Sequence, residues 1–207
     1  MNPFIAWLSQ LSSFASTPAA WGIFLTGAGI YLIHEWRVRF LILVTQYFLI
    51  GILFARVFDT RPEMALLKIL VGWLVCGAFL ISAHVRGRTR GQADSRFHWS
   101  SNLPFRILSL TVMTVVAYLA SQRYPLPFVS ADLALACFIL IVLAVLFIGT
   151  EENDPLVMGV GILNLLAALD IFYSSQDPGL LVTGLLVMVN LLIGLAASYL
   201  TVVEVAE

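Results

Sequence analysis

Five residues able to carry charge or hydrogen bonds stand inside long apolar runs: Gln46, Lys68, Asn164, Asp170 and Asn190. An ionisable side chain deep in a bilayer is costly, so Lys68 and Asp170 are read first as parts of an ion path or polar network. Lys68 is the only lysine in the chain. It stands about one turn into its span, where snorkelling of the ammonium to the interface competes with a buried cation in a polar pathway. Asp170 precedes Tyr173, Ser174 and Ser175, which would put it at the waterline, whereas Ala167-Ala168-Leu169 before it would carry it into a bundle. The amides Asn164 and Asn190, with Gln46 as a third, are more central. An amide in hydrocarbon is most simply an interhelical clamp worth about 1 kcal/mol. The functional alternative is a hydrated polar station beside an ion path. Amides do not titrate near neutral pH, so none of the three carries a proton by changing its own charge.

Other chemistries find little support. His34, His84 and His98 fall at helix ends or in a loop, without a Cys, Asp or His at ligand spacing. His84 reads as an interface residue, with an axial haem ligand opposite His34 as the minor alternative. Cys76 and Cys137 lie within apolar runs and behave as small hydrophobes, so neither a disulfide framework nor a metal site is expected. Basic residues are scattered without stacking aromatics around them, which sets nucleic acid aside. No cofactor and no enzyme site is expected. The pairs Gly194 with Ser198 and Gly22 with Thr26 are small residues at helical spacing, suited to close helix contact.

The elements that must position these groups follow from composition. Of 207 residues, 60% are hydrophobic and 11% charged, and mean hydropathy is +0.97. Soluble domains run nearer 25% charged, so the chain reads as all-α, a polytopic integral membrane helical bundle. Spans are expected at about 19–35, 38–58, 64–85, 105–122, 132–149, 155–173 and 179–202, each long enough or nearly so for a membrane. Residues 1–18 read as an interfacial amphipathic helix, with Phe4, Trp7, Leu8, Leu11 and Phe14 at helical spacing. The domain plan is therefore that helix, three spans over 19–85, a basic loop over 86–104, a fourth span and outer loop over 105–131, and three spans over 132–207. Arg37, Arg39, Arg86, Arg88, Arg90, Arg96 and Arg106 collect on one side, against Arg56, Arg61 and Arg123 on the other. Basic residues are retained in the cytoplasm, which puts the N-terminus outside and the C-terminus inside. In the loop, Arg86, Arg88, Arg90 and Arg96 serve topology or, alternatively, dock a cytoplasmic subunit or anionic lipid.

Two segments near the C-terminus carry a family resemblance. Gly161-Ile162-Leu163-Asn164 resembles the Gly-x-Glu segment, and Asn190-Leu191-Leu192-Ile193-Gly194-Leu195-Ala196 the Glu-Ala-x-Ile-Gly-Leu-Ala segment, of the three-helix K or 4L-type subunit of respiratory complex I and its relatives in Mrp antiporters and membrane-bound hydrogenases. Both times asparagine stands near the family's membrane carboxylate. The loop at Glu151-Glu152-Asn153-Asp154 is acidic where the family often carries arginines. With further spans before that unit, the architecture is closer to component E of the hydrogenase-4 and formate hydrogenlyase type, and Gln46 after Arg39, then Lys68 in the next span, are placed loosely as in that component. The resemblance implies the membrane arm of an ion-translocating redox complex in the cell inner membrane, beside antiporter-like subunits. The asparagines imply a subunit that lost its own titrating relay, or hydrates one through amides. Two other readings stand beside it: an independent transporter or channel, for which no internal repeat is found, and a purely structural scaffold.

Overall fold

The computed structural model describes residues 16–33, 35–57, 62–89, 103–124, 126–127, 129–149, 154–176 and 179–203, with the side chains at 16, 17, 36, 37, 56, 62, 63 and 86–89 excepted. The interfacial helix expected over 1–18, His34, His98, Arg90 and Arg96 therefore lie wholly or mostly outside the described residues.

Among the described residues seven helices follow one another: α1 (Ser16–Leu32), α2 (Trp36–Val57), α3 (Pro62–Thr89), α4 (Leu103–Arg123), α5 (Ala131–Ile148), α6 (Pro155–Gln176) and α7 (Leu180–Val203). The chain is an all-α bundle, and α2 to α7 are each long and apolar enough to cross a membrane, as a multi-pass membrane protein requires. Two expectations are corrected. The first span lies three residues earlier than the expected 19–35, and the 17 residues of α1 reach about 25 Å at about 1.5 Å each, short of a hydrocarbon core of about 30 Å. In addition, α3 continues to Thr89, so Arg86 and Arg88 extend a helix where a loop was expected. Elsewhere the ends follow local chemistry. At the start of α6, Asp154 Oδ1 accepts the Leu156 N–H at 3.2 Å, and Pro155 takes the first helical position, where no N–H is needed.

Hydroxyls along these helices bond back to their own backbone. Thr45, Ser109 and Thr111 each donate to the carbonyl four residues earlier. A polar side chain on an outer face thereby stays satisfied without water.

Helix contacts divide the bundle into two four-helix rings that share α2 and α6. One ring runs α1–α2–α6–α5, the other α2–α3–α7–α6, and α4 lies outside, mainly against α5. The first ring is closed by apolar side chains such as Ile23, Leu140, Leu143 and Phe147. The second is different: of all buried polar residues described, every one except Arg106 belongs to its four helices. Two of these six spans face outward, since α4 and α7 bury 11% and 17% of their span residues against 44% to 56% in the others.

The end of α1 is held by two arginines. Arg39 Nε donates to the Ile33 carbonyl, and Arg106 Nη1 donates to the Tyr31 carbonyl at 2.8 Å, with its guanidinium 5.3 Å from the Tyr31 ring centre. The last carbonyls of a helix lack intrahelical partners and carry its negative end. Both arginines, read from sequence as topology signals, are buried here.

Candidate functional site: a polar ring inside the bundle

Around the α2–α3–α7–α6 ring, chain direction alternates, so α2 and α6 run toward the end bearing Gln176 while α3 and α7 run away from it. Lys68 lies six residues from the start of α3 and Asp170 six from the end of α6, which puts them at one depth. They meet across the diagonal of the ring: the Lys68 ammonium donates to Asp170 Oδ2 as a buried ion pair. Lys68 is 7% exposed and Asp170 0%. Snorkelling is thus overturned for Lys68, and the waterline for Asp170. Ser174, expected to mark that waterline, is itself buried one turn on, and its hydroxyl donates to Asp170 Oδ1 at 3.3 Å. The Phe54 ring of α2 stands 5.2 Å from the ammonium, a cation–π contact of the kind that gains strength when desolvated.

About two turns deeper along α6 comes the amide pair. Gln46 Nε2 donates to Asn164 Oδ1 at 3.0 Å, joining the two helices that both rings share. This is the interhelical clamp expected of amides in hydrocarbon. It is incomplete, because buried Gln46 Oε1 and Asn164 Nδ2 have no hydrogen-bond partner among the described residues.

A crevice of about 20 Å³ lies on the ring axis, bordered by Tyr47, Lys68, Gly72, Val75, Asp170 and Asn190 among others. That is room for about one water. Sequence reasoning placed Asn190 in a polar network, and it does line this space; Tyr47, which contributes the phenol, went unnoticed there. Its position depends on Gly72: a Cβ at that residue would stand 2.6 Å from the Tyr47 ring. Gly194 plays the matching part on α7, where a Cβ would meet the Val75 methyls at 2.7 Å. Gly22 likewise admits Leu49, and Thr26 bonds to its own helix at 2.8 Å, so both small-residue pairs serve close contact.

The sequence-level candidates thus converge. Lys68, Asp170, Asn164, Asn190 and Gln46 all belong to one ring, with Lys68 joined to Asp170 and Gln46 to Asn164. The docking candidates Arg86 and Arg88 fall at the end of α3, far along it from Lys68. Among the described residues no group of three or more His, Cys, Asp or Glu is placed to hold a metal ion. His84 is exposed. Both cysteines are buried, Cys137 donating to the Ala168 carbonyl at 3.6 Å.

Chemically, the ring offers one positive and one negative charge in contact, a phenol, three amides and a water-sized space within apolar walls. Such a set can conduct or bias charge. Among the described residues it shows no nucleophile with an activating base beside it. Comparison with protein-family models, curated proteins and solved structures found no match to the chain.

Proposed function

We propose that the chain is a membrane-arm subunit of a complex-I-like or membrane-bound-hydrogenase-like ion-translocating redox complex, in which the α2–α3–α7–α6 ring contributes to a proton path and the remaining helices fill and position the arm. The observation that carries this reading is the buried Lys68–Asp170 pair. A buried ion pair is weak support for stability, since apolar residues of similar volume often do as well. Its presence in a membrane bundle therefore favours use of the charges themselves. The resemblance of the last three spans supplies the setting. There the family's second-helix carboxylate corresponds to Asn164, and this chain carries an acid six residues further along the same helix, at Asp170. The relay group is then displaced along α6 and balanced by Lys68.

In this reading the chain sits in the cell inner membrane beside antiporter-like subunits, with its N-terminus outside and the Gln176 end facing outward. Arg86, Arg88, Arg90 and Arg96 meet a cytoplasmic subunit or anionic headgroups. A charge at this depth acts on neighbouring relays because low-dielectric protein screens it poorly.

Purification in mild detergent through a tag on this chain, with mass spectrometry of what stays bound, tests the assignment. Recovery with redox and antiporter-like subunits is expected. Recovery alone as a monodisperse particle would overturn it and favour an autonomous transporter. Within the recovered complex, Asp170→Asn should slow proton transfer while electron transfer to an artificial acceptor persists. Unchanged pumping would reduce the chain to a scaffold.

A further inference from the structure

The interior of the polar ring is interrupted. Phe79 is buried at 2% exposure and reaches from α3 across the ring diagonal to α6, where its Cζ would stand 3.4 Å from a Cβ placed at Gly159. The same Gly159 faces Ala197 of α7, whose Cβ would stand 2.5 Å from a Cβ placed at the glycine. The ring of Phe79 thus meets the α6–α7 seam and fills the axis at that level. Immediately toward the Gln176 end stands Val75, 1% exposed and seated on Gly194. Together these residues form an apolar layer.

Polar groups without partners lie around this layer. On the Gln176 side are the Gln46 Oε1 acceptor and Asn164 Nδ2 donor, without partners among the described residues, one helical turn from Ile50 and Ala167, which line the water-sized crevice together with Asn190 and the ion pair. At the level of Phe79 itself, Ser198 Oγ is buried with no partner among the described residues. One turn further on, Ser82 of α3 and Thr201 of α7 are also buried; the Thr201 hydroxyl donates to the Ala197 carbonyl at 2.8 Å, which leaves its oxygen to accept. A buried acceptor beside a buried donor suits one water, which accepts from the amide N–H₂ and donates to the carbonyl oxygen. Leaving such groups unmet is costly, and buried water is the usual remedy.

We infer that the α2–α3–α7–α6 ring binds water at two sites, one at Gln46, Asn164 and Asn190 and the other at Ser198, Ser82 and Thr201, kept apart by Phe79 as an apolar seal. This rests on the reading of the ring as part of a proton path, and it adds that the path is closed at rest. Hydrophobic constrictions stop ions by excluding water, so swinging the Phe79 ring aside would join the two sites.

The test uses the full chain in membrane vesicles, with Cys76→Ala and Cys137→Ala removing the native thiols. Asn190→Cys and Thr201→Cys are introduced one at a time and treated with a small membrane-impermeant methanethiosulfonate from each side. Such reagents need a hydrated thiolate. Position 190 is expected to react only from the Gln176 side and position 201 only from the opposite side. Reaction of both from one side, or of neither, overturns the two-site arrangement. In the chain with its native cysteines, Phe79→Ala should speed the passive decay of a pH gradient roughly tenfold, the factor given by removing about 1.4 kcal/mol from a barrier. Phe79→Leu, which keeps the layer filled, should stay near the parent rate. Equal decay in all three chains overturns the seal. Partner subunits are not needed for either readout, so failure here with redox subunits still co-purifying strikes the seal alone, and success without them strikes the subunit assignment alone.

Discussion

Lys68 and Asp170 depend on each other. Removing one charge leaves the other buried and uncompensated, so Lys68→Met or Asp170→Leu alone should destabilise the bundle by about 3–5 kcal/mol, read as a fall in the thermal midpoint in detergent. Replacing both at once removes the unpaired charge along with the pair. The double variant should recover most of that loss while proton transfer stays down, and recovery of transfer together with stability would show the charges to be ornamental. The amides behave more mildly. Gln46→Leu and Asn164→Leu should each cost about 1 kcal/mol, and the two should be non-additive because one bond is lost in either case. The pairing itself was hard to read in the sequence. Lys68 and Asp170 stand 102 positions apart, and each taken alone fits an interfacial explanation. The available signal was their matched depth, six residues in from the same end of the bundle, on the only lysine and the only acid within the span interiors. Tyr47 and Phe79 gave no such signal, since aromatic residues are common along any membrane helix.

At the level of elements, the apolar runs were legible because charges, prolines and glycines interrupt them. The ends of α2, α4, α5, α6 and α7 fall within a few residues of the expected spans. What periodicity leaves open is which helices become neighbours, because each span is apolar nearly all round and marks no single buried face. Small residues record part of that arrangement. Gly72→Ala would drive a methyl into the Tyr47 ring, and overpacking of this kind costs about 1–3 kcal/mol. At Gly77 a Cβ meets nothing within 4 Å. Gly77→Ala should therefore stabilise the isolated chain by up to about 1 kcal/mol through helix propensity. Comparing the thermal midpoints of the two variants checks the α2–α3 contact directly, and equal effects would contradict it.

Over the whole molecule, the proposed function gives the two rings different parts. In the apolar ring, Leu143 is fully buried and its methyls fill the space beside Gly27. Leu143→Ala should cost about 2–5 kcal/mol yet leave the rate of proton transfer per intact complex unchanged. Substitutions in the polar ring should move that rate. A set of variants in which stability and rate fall together irrespective of ring would refute the division. The clamp on α1 bears on how such a bundle comes to be built. Tyr31 obtains its guanidinium partner from Arg106, 75 positions later in the chain, and therefore only after α2, α3 and the start of α4 have left the ribosome. Until then one carbonyl at the end of the first helix awaits a donor that has not been synthesised. The clamp on α1, begun by Arg39 of α2, is thus complete only once α4 has arrived. A nascent chain arrested before residue 103 should leave α1 easily extracted from the bilayer, and one arrested after α4 should hold it.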